Sequence, residues 1–422
     1  MDALLSDLAK ACDDNARPAS EDDHVGGVTP RFVASPASTA ETAEVLRVAA
    51  QHDLFVVARG AGTKLGWGAA PRAVDLVIDM SRCSGVVEHA SGDLVVLVRA
   101  GTPLEELQSV LAAADQELAF DNALPGATVG GSLAIAPSGP RRLLRGTLRD
   151  LLIGVTFVRS DGVVAKAGGR VVKNVAGYDF GKLLTGSYGS LGLITEAVFR
   201  LHPRPPAQVV VSARASDAAS VARAAHSVVA SQTVPSAVEI DWPAGTDSSG
   251  GGATVAVLLE GTHEGVAARG ETVQLLLEPT GTGSPTADPA TPDWWGRYPF
   301  GAADVGLKLT CMVSGLGALL DAARDAAARH GAALHLRGSA AGVVHAGLPG
   351  ETPAGVVSSV VDDLRACASS YAGSVVVLTA PAATRDAIDL WGPVPGLELM
   401  RRLKNELDPP HRFSPGRFVG GI

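Results

Sequence analysis

The sequence is poor in cysteine, and the cysteines it has are scattered. None of the four, Cys12, Cys83, Cys311 and Cys367, belongs to a Cys-x-x-Cys pair. Iron–sulfur clusters and structural zinc sites use closely spaced cysteines, so neither is expected from this chain alone. A disulfide framework is equally unexpected, and these features together predict a cytoplasmic protein.

Long apolar runs and an excess of basic residues are also missing. No apolar run approaches the length of about 20 residues that spans a bilayer. The first residues lack the basic start and apolar core of a signal peptide. Acidic residues outnumber Lys and Arg by 44 to 35, a net charge of −9. We therefore expect neither a membrane span nor nucleic-acid binding.

Glycine, in contrast, is abundant. The chain has 49 glycines, where an average usage of about 7% would give roughly 30. Two glycine-rich loops, Arg59–Lys64 and Pro125–Gly131, each lie beside an apolar run. Glycine permits positive φ and close approach of the backbone to a ligand, and successive N–H groups in such turns form a concave anion site. Two such loops suit a dinucleotide; the alternative is a pair of ordinary tight turns.

Three other glycine motifs fail on their context. A Rossmann fingerprint needs a third glycine at fixed spacing and a helix, but Gly66 comes one position late and Pro71 would break the helix. A Walker A loop needs glycine directly before Lys-Ser/Thr, whereas this chain has Gly62-Thr63-Lys64. The segment Gly186–Gly189 lacks the spacing of the Gly-x-Ser-x-Gly elbow used in acyl transfer.

Apolar periodicity divides the chain near residue 205. Residues 39–51 predict a helix capped by Ser38 or Thr39, and Leu54–Ala58 predicts a buried strand leading into the first glycine loop. Thr102-Pro103-Leu104-Glu105 predicts a helix start with a capping threonine. Three prolines within 202–206 mark a boundary. Beyond it, strands and helices alternate as in a sheet covered on one face.

Four stretches in order carry a resemblance: Arg59–Thr63, Pro125–Gly131, Gly169–Asp179 and Gly186–Glu196. They resemble the FAD-binding domain of the vanillyl-alcohol oxidase superfamily. Within it, the chain is most similar to the smaller, FAD-binding subunit of bacterial glycolate oxidase. The tail with Pro415-Gly416-Arg417 resembles the C-terminal signature of that family, and the resemblance extends over residues 28–422.

The resemblance implies an α+β protein of two domains. Residues 1–27 would be an N-terminal extension, and 28–205 a PCMH-type FAD-binding domain with two subdomains. Residues 206–400 would form an α/β cap, or substrate, domain with a mainly antiparallel sheet. The C-terminal segment 401–422 would return to the FAD-binding domain.

The resemblance also implies the residues that bind FAD. The first loop would cradle the pyrophosphate, the second would form the opposite wall, and a third segment would line the adenosine side. In chain order these residues are Arg59, Gly60, Ala61, Gly62, Thr63 and Lys64; Pro125, Gly126, Thr128, Gly130 and Gly131; and Gly189, Gly192 and Ile194. Some members bind FAD covalently through a histidine in the first loop. Thr63 or its neighbours stand there instead, so non-covalent FAD is predicted.

Residues for the oxidation itself are marked less clearly. Oxidation of a 2-hydroxy acid needs a cation for the carboxylate, a base or metal for the hydroxyl group and flavin for the hydride. The histidine-rich metal-binding stretch of relatives that resemble the larger subunit is not found, so no metal site is predicted. Arg337, His335 and His411 are the candidates, the alternative being ordinary surface or partly buried side chains.

Two further groups have two interpretations each. Lys173, Asn174, Tyr178 and Asp179 either orient the flavin or form a capped turn before a helix. Trp294 and Trp295 are either aromatic residues of the cap core or of a subunit interface, or residues that stack on substrate.

Two functions follow as hypotheses. In the first, the chain is the FAD-binding subunit of a glycolate oxidase-type complex that oxidises glycolate or D-lactate. Its partners would then be a larger FAD-binding subunit and an iron–sulfur subunit that takes the electrons. In the second, the chain is a self-sufficient FAD-dependent D-2-hydroxy acid dehydrogenase. The expected location is the cytoplasm, or the surface of the inner membrane through these partners.

Overall fold

The computed structural model describes residues 3–170, 177–245 and 252–422. Within these ranges the chain forms two compact units. The described residues of the first unit lie within Met1–Pro137, Thr147–Arg204 and Val394–Ile422. The second unit comprises Ser138–Gly146 and Pro205–Pro393.

Two short segments lie in a different unit from the one the sequence suggests. Residues 138–146 belong to the second unit, where the Arg141 guanidinium lies 3.6 Å from the Glu260 carboxylate. Residues 394–400 belong to the first unit and include the start of the helix Leu397–Leu407, whose Lys404 is buried there. Residues of the N-terminal extension also join the first unit, since Leu4 and Leu8 pack in one of its cores.

The described ranges contain both strands and helices. The strands are β1 (Ala16–Pro18), β2 (Phe32–Ala34), β3 (Val56–Arg59), β4 (Leu76–Asp79), β5 (Val86–Ala90), β6 (Val95–Arg99), β7 (Gln116–Glu117), β8 (Leu152–Val158), β9 (Val164–Gly168), β10 (Leu193–Arg200), β11 (His202–Pro203), β12 (Ala207–Ala215), β13 (Ala237–Trp242), β14 (Ala253–Gly261), β15 (Thr286–Asp288), β16 (Val305–Thr310), β17 (His335–Ser339), β18 (Val343–Leu348) and β19 (Ser374–Thr379). The helices are α1 (Ala3–Ala11), α2 (Thr39–Gln51), α3 (Leu104–Ala112), α4 (Val129–Ile135), α5 (Arg142–Arg145), α6 (Leu148–Leu151), α7 (Phe180–Leu184), α8 (Ala218–Val229), α9 (His263–Leu277), α10 (Leu316–His330), α11 (Ala354–Ser369), α12 (Ala382–Ala387) and α13 (Leu397–Leu407). None of the helices in these ranges is long and apolar enough to cross a membrane.

The first unit contains two main sheets, which form its two subdomains. One is four-stranded in the order β1-β2-β4-β3, with β2, β4 and β3 parallel. The other is five-stranded and antiparallel, in the order β5-β6-β10-β8-β9. Helix α2 begins after Ser38, whose side chain accepts a hydrogen bond from the Glu41 N–H group. Its buried face packs with Leu76 and Ile78 of β4 in one core.

The predicted start of α3 is wrong in detail. The helix begins at Leu104 with Pro103 as its N-cap, and no side chain caps it. The Thr102 hydroxyl donates instead to the Arg99 carbonyl at 2.8 Å and accepts from the Gly85 N–H group. A turn back to Arg99 and a contact with Gly85 therefore use the hydroxyl that the local pattern assigned to the cap.

The second unit is built on an eight-stranded antiparallel sheet, in the order β15-β12-β14-β13-β17-β18-β16-β19. Side chains alternate between its two faces. On one face, which we call the back face, are apolar residues such as Val238, Ile240, Val257 and Leu307, all buried. The opposite face, which we call the front face, carries Glu239, Asp241, Glu260, Arg337, His345 and Lys308. The predicted α+β class with a mainly antiparallel second sheet is confirmed.

Candidate cofactor site

A solvent-open cavity of about 810 Å³ lies in the first unit. Its walls come from the first glycine loop, the second glycine loop with α4, the segment 187–194, and Arg417 of the tail. Three loops that are distant in sequence therefore meet at one cavity.

The first glycine loop presents a row of free donors. It leaves the carboxyl end of β3, a parallel strand, and Gly62 has a φ of +77°. In the part of the chain that the structure describes, the N–H groups of Gly60, Ala61, Gly62, Thr63 and Lys64 donate no hydrogen bond to the protein. Successive unpartnered N–H groups bind anions, so this loop is suited to phosphate.

In the second glycine loop, the N–H groups of the glycines already donate hydrogen bonds within the protein. The Gly126 N–H donates to the Glu105 carboxylate at 3.1 Å, and the Gly130 N–H to the Ala100 carbonyl at 2.8 Å. The Gly131 N–H donates to the Thr128 hydroxyl, which caps α4. A Cβ atom on Gly130 would lie 2.8 Å from the Ala100 Cβ. The glycines of this loop therefore permit close packing and leave a smooth wall.

Lys64 supplies a positive charge to the cavity. The side chain is buried, and the ammonium has no carboxylate within ion-pair distance among the described residues. Burial lowers the pKa of Lys64 to about 8, an effect that the more distant Glu105 opposes. An unpaired buried cation beside free N–H groups is the environment that a bound dianion would stabilise.

The guanidinium of Arg59, by contrast, is already paired. It donates to Asp79 at 2.7 Å and to Asp23 at 2.9 Å. Hydrogen bonding from Arg17 holds the pKa of Asp23 well below its usual range; burial opposes this, and the Ser20 N–H and Arg59 reinforce it. The Arg59 guanidinium therefore fixes the end of β3, and two carboxylates already compensate its charge.

Hydrogen bonds from the C-terminal segment, residues 397–422, hold two of the loops that line the cavity. The buried Lys404 ammonium donates to the Ser190 carbonyl at 2.7 Å and to Asp408 at 2.7 Å. The Arg417 guanidinium donates to the carbonyls of Leu65 and Trp67. The α13 segment and the residues after it thus hold the third loop and the end of the first loop in place.

Most of the residues predicted to bind FAD line this cavity. All of them do so except Pro125 and Gly126, which are exposed at the start of the second loop. Lys173 and Asn174 lie outside the described residues, whereas Tyr178 is exposed and Asp179 caps α7. The Asp179 carboxylate accepts from the Lys182 N–H group, as the capped-turn interpretation requires.

Tyr188 and Arg417 are among the lining residues that were not singled out from the sequence as FAD contacts. Tyr188 has a φ of +55° and stacks on Phe418 with ring centroids 5.2 Å apart. Burial raises the pKa of Tyr188 to about 12, so the phenol keeps its proton. Arg417 was noted only as part of the tail. The positive φ of a tyrosine has no local sequence signal, and the reach of Arg417 depends on tertiary packing.

The three candidates for catalysis lie elsewhere. His335 and Arg337 are neighbours on β17 in the second unit, and both bond the Asp241 carboxylate, at 2.8 and 2.7 Å. Burial alone would raise the pKa of Asp241, but these two hydrogen bonds outweigh it and hold that pKa below its usual value. His411 bonds the Asn405 side chain at 2.7 Å in the first unit and does not line the cavity. Within the described ranges, no cluster of three or more His, Cys, Asp or Glu is arranged to hold a metal ion.

The cavity's donor set fits a dinucleotide diphosphate, and a comparison with protein families decides which one. Residues 30–168 match the family described as FAD binding domain. Most of the matched residues lie in the first unit, so this unit carries the similarity to FAD binding domains. The predicted cofactor, FAD, is therefore confirmed.

Curated relatives extend the resemblance. The chain is 29% identical over 218 residues to glycolate oxidase subunit GlcD of Bacillus subtilis, covering 51% of this chain and 46% of that protein. It is 40% identical over 131 residues to glycolate oxidase subunit GlcE of Escherichia coli, covering 30% and 37%. It is 34% identical over 185 residues to D-lactate dehydrogenase [cytochrome] 1 of Saccharomyces cerevisiae, covering 43% and 31%. The matched regions thus span less than half of each relative.

The likeness to a solved structure extends further along the chain. p-Cresol methylhydroxylase with substrate bound superposes with a TM-score of 0.75 over 98% of this chain and 96% of that one, at 14% sequence identity. At this identity the likeness shows the fold alone. The PCMH-type fold expected from the resemblance is confirmed.

Proposed function

We propose that the chain is the FAD-carrying subunit of a complex that oxidises a small 2-hydroxy acid, glycolate or D-lactate, to the 2-oxo acid. The similarity to GlcE and GlcD supports this proposal. The observation that carries it is the cavity of the FAD binding domain, where five free N–H groups and an unpaired lysine face one space. Each turnover releases two electrons and two protons, and we propose an iron–sulfur subunit as the electron acceptor.

The chain's own residues would hold the cofactor without a covalent bond. The N–H groups of the first loop and the Lys64 ammonium bind the pyrophosphate, and the second loop and α4 form the opposite wall. Gly189, Gly192 and Ile194 line the remaining side. No histidine or cysteine lines the cavity within the described residues, which supports non-covalent binding. Acid precipitation should leave FAD in the supernatant.

FAD supplies one chemical capacity when bound: it accepts a hydride from the carbon that bears the hydroxyl group. The protein must then provide a cation for the substrate carboxylate and a group that takes the hydroxyl proton. Arg337 and His335 stay candidates for these roles, although Asp241 already occupies both. The cytoplasm, or the inner membrane surface through partner subunits, is the proposed location.

A second candidate function is a dehydrogenase that works alone. The similarity to the yeast D-lactate dehydrogenase supports it, as does the group of cations on the front face of the second unit. The two proposals differ in whether this chain's flavin meets substrate.

Anaerobic visible spectroscopy of the purified FAD-loaded chain separates the two. Glycolate and D-lactate are added in turn, with acetate, which has no hydroxyl group to oxidise, as the control. The subunit proposal predicts that the flavin spectrum stays oxidised until partner subunits are added. Bleaching by one hydroxy acid alone would establish the self-sufficient dehydrogenase. If neither glycolate nor D-lactate bleaches the flavin, even with partner subunits present, both proposals are overturned.

A further inference from the structure

Residues 16–28, which we call the N-terminal segment, contact the first glycine loop. They precede the residues 30–168 that match the FAD binding domain family. The segment begins with β1, which pairs with β2. Val25 is fully buried in a core with Val57 of β3, and Leu65, which lines the cavity, packs against that core. The N-terminal segment therefore shares a core with the strand that leads into the first loop and with a residue that follows this loop.

Asp23 is the charged centre of the N-terminal segment. Its side chain is only 4% exposed. Its Oδ2 atom accepts hydrogen bonds from the Arg17 guanidinium at 2.7 Å and from the N–H and hydroxyl groups of Ser20. Its Oδ1 atom accepts from Arg17 and from Arg59, each at 2.9 Å. Because charge-assisted hydrogen bonds are strong, donors on several sides hold this buried carboxylate in one position.

Arg59 connects Asp23 to the cofactor cavity. It is the last residue of β3 and the first of the glycine loop, and its side chain is 15% exposed. One end of the guanidinium donates to Asp23, while Nη2 and Nε donate to Asp79 at 2.7 and 3.2 Å. The Asp79 carboxylate also accepts from the Ser81 N–H group and caps a short helix that starts at Met80, a lining residue. Carboxylates on two sides therefore fix the planar guanidinium at the start of the loop.

This network can organise the loop before any ligand arrives. With both carboxylates in place, the Arg59 guanidinium cannot turn without breaking a charge-assisted hydrogen bond. Without Asp23, only Asp79 would orient it, and the end of β3 would gain conformational freedom. Affinity for a ligand of the loop would then fall, because binding itself would have to order the backbone.

We propose that Asp23 is a positioning residue for FAD, which acts through Arg59 to hold the first glycine loop in the conformation that binds the pyrophosphate. The Asp23 side chain does not itself line the cavity. Its role therefore differs from that of Lys64, whose charge lies at the cavity. The inference rests on the proposed position of the pyrophosphate at the first loop and is independent of the substrate.

The affinity of the full FAD-free chain for FAD, measured by flavin fluorescence, tests this inference. Asp23→Asn keeps the size of the side chain but removes its charge, and we expect FAD to bind about tenfold more weakly. Arg17→Met is the matched control, because it removes a donor from the same carboxylate and leaves the contact between Asp23 and Arg59 in place. This control should change FAD affinity by less than about threefold.

A double-mutant cycle shows whether Asp23 acts through Arg59. In an Arg59→Gln background, Asp23→Asn should cause little further loss of FAD affinity, since the contact is already absent. The same tenfold loss in both backgrounds would overturn the inference. The comparison of Asp23→Asn with Arg17→Met needs no Arg59 variant, so it decides the matter even if Arg59→Gln does not fold.

Thermal unfolding of each FAD-free variant separates positioning from general support. A lower midpoint for Asp23→Asn with wild-type FAD affinity would mean that Asp23 only stabilises the fold, and the inference would be wrong. Lys64→Met, measured alongside, tests the position of the pyrophosphate. Weaker FAD binding in Lys64→Met but not in Asp23→Asn would remove this inference alone. Wild-type affinity in both variants would remove the proposed position of the pyrophosphate as well.

Discussion

The two glycine-rich loops are similar in sequence, but their backbone N–H groups are used differently in the structure. The first keeps five consecutive N–H groups free and places the Lys64 ammonium beside them. In the second, the N–H groups of Gly126, Gly130 and Gly131 all donate within the protein. Glycine content alone therefore does not identify a phosphate-binding loop. The distinction lies in whether the surrounding fold has already taken the donors.

The largest expected effect on FAD binding comes from placing a bulky side chain on the second loop, where it lines the cavity. Gly131 lines the cavity on the first turn of α4. In Gly131→Val a branched side chain would occupy the space beside the Thr128 hydroxyl, which lies 3.1 Å from the Cβ position. We expect FAD to be lost on gel filtration, as measured by the ratio of flavin to protein absorbance.

Gly66→Val is the control for this substitution. Gly66 is exposed, does not line the cavity and has no atom within 4 Å of its Cβ position. It should retain the wild-type FAD content. A Gly131→Val variant with full FAD content would show that the second loop does not contact the cofactor.

Removing the charge of the first loop should have the next largest effect. Lys64→Met keeps the length and apolar character of the side chain but removes its ammonium. We expect FAD to bind about 10- to 100-fold more weakly, as for other charge-assisted contacts. The FAD-free protein should unfold at an equal or higher denaturant midpoint, because an unpaired buried charge has been removed. Wild-type affinity in this variant would mean that the lysine does not meet the pyrophosphate.

The same lysine predicts a pH dependence of FAD binding. In the FAD-free protein the pKa of Lys64 is about 8, so its amine loses the proton as pH rises through that value. A bound pyrophosphate favours the protonated amine and raises its pKa again. Affinity should therefore be full below the free pKa and fall above it, approaching about tenfold per pH unit. Titration by flavin fluorescence between about pH 7 and pH 9 measures it, and Lys64→Met should remove the slope.

Local patterns predicted the elements and the cavity better than they predicted the use of individual polar groups. The helix over 39–51 matches α2, and the first loop lines the cavity. Thr102 was assigned to a cap that it does not form, because Arg99 and Gly85 take its hydroxyl. The Lys308–His345 neighbourhood could not be predicted, since it depends on the register of β16 with β18. Hydrogen bonds within one segment leave a signal in the sequence; those between distant segments do not.

The smallest expected effect concerns Thr128 and tests whether this residue of the second loop supports the structure or binds FAD. The Thr128 hydroxyl accepts the Gly131 N–H at 3.3 Å and would lie 2.2 Å from a Cβ atom on Gly60, so its side chain packs between the two loops. Thr128→Val keeps this shape but removes the cap. We expect the free energy of unfolding to fall by about 1 kcal/mol, measured by urea denaturation of the FAD-free protein. FAD affinity should change by less than about threefold, since no donor of the first loop is altered. A loss of affinity as large as that of Lys64→Met would mean that the second loop binds FAD through its polar groups, and the contrast between the two loops would fail.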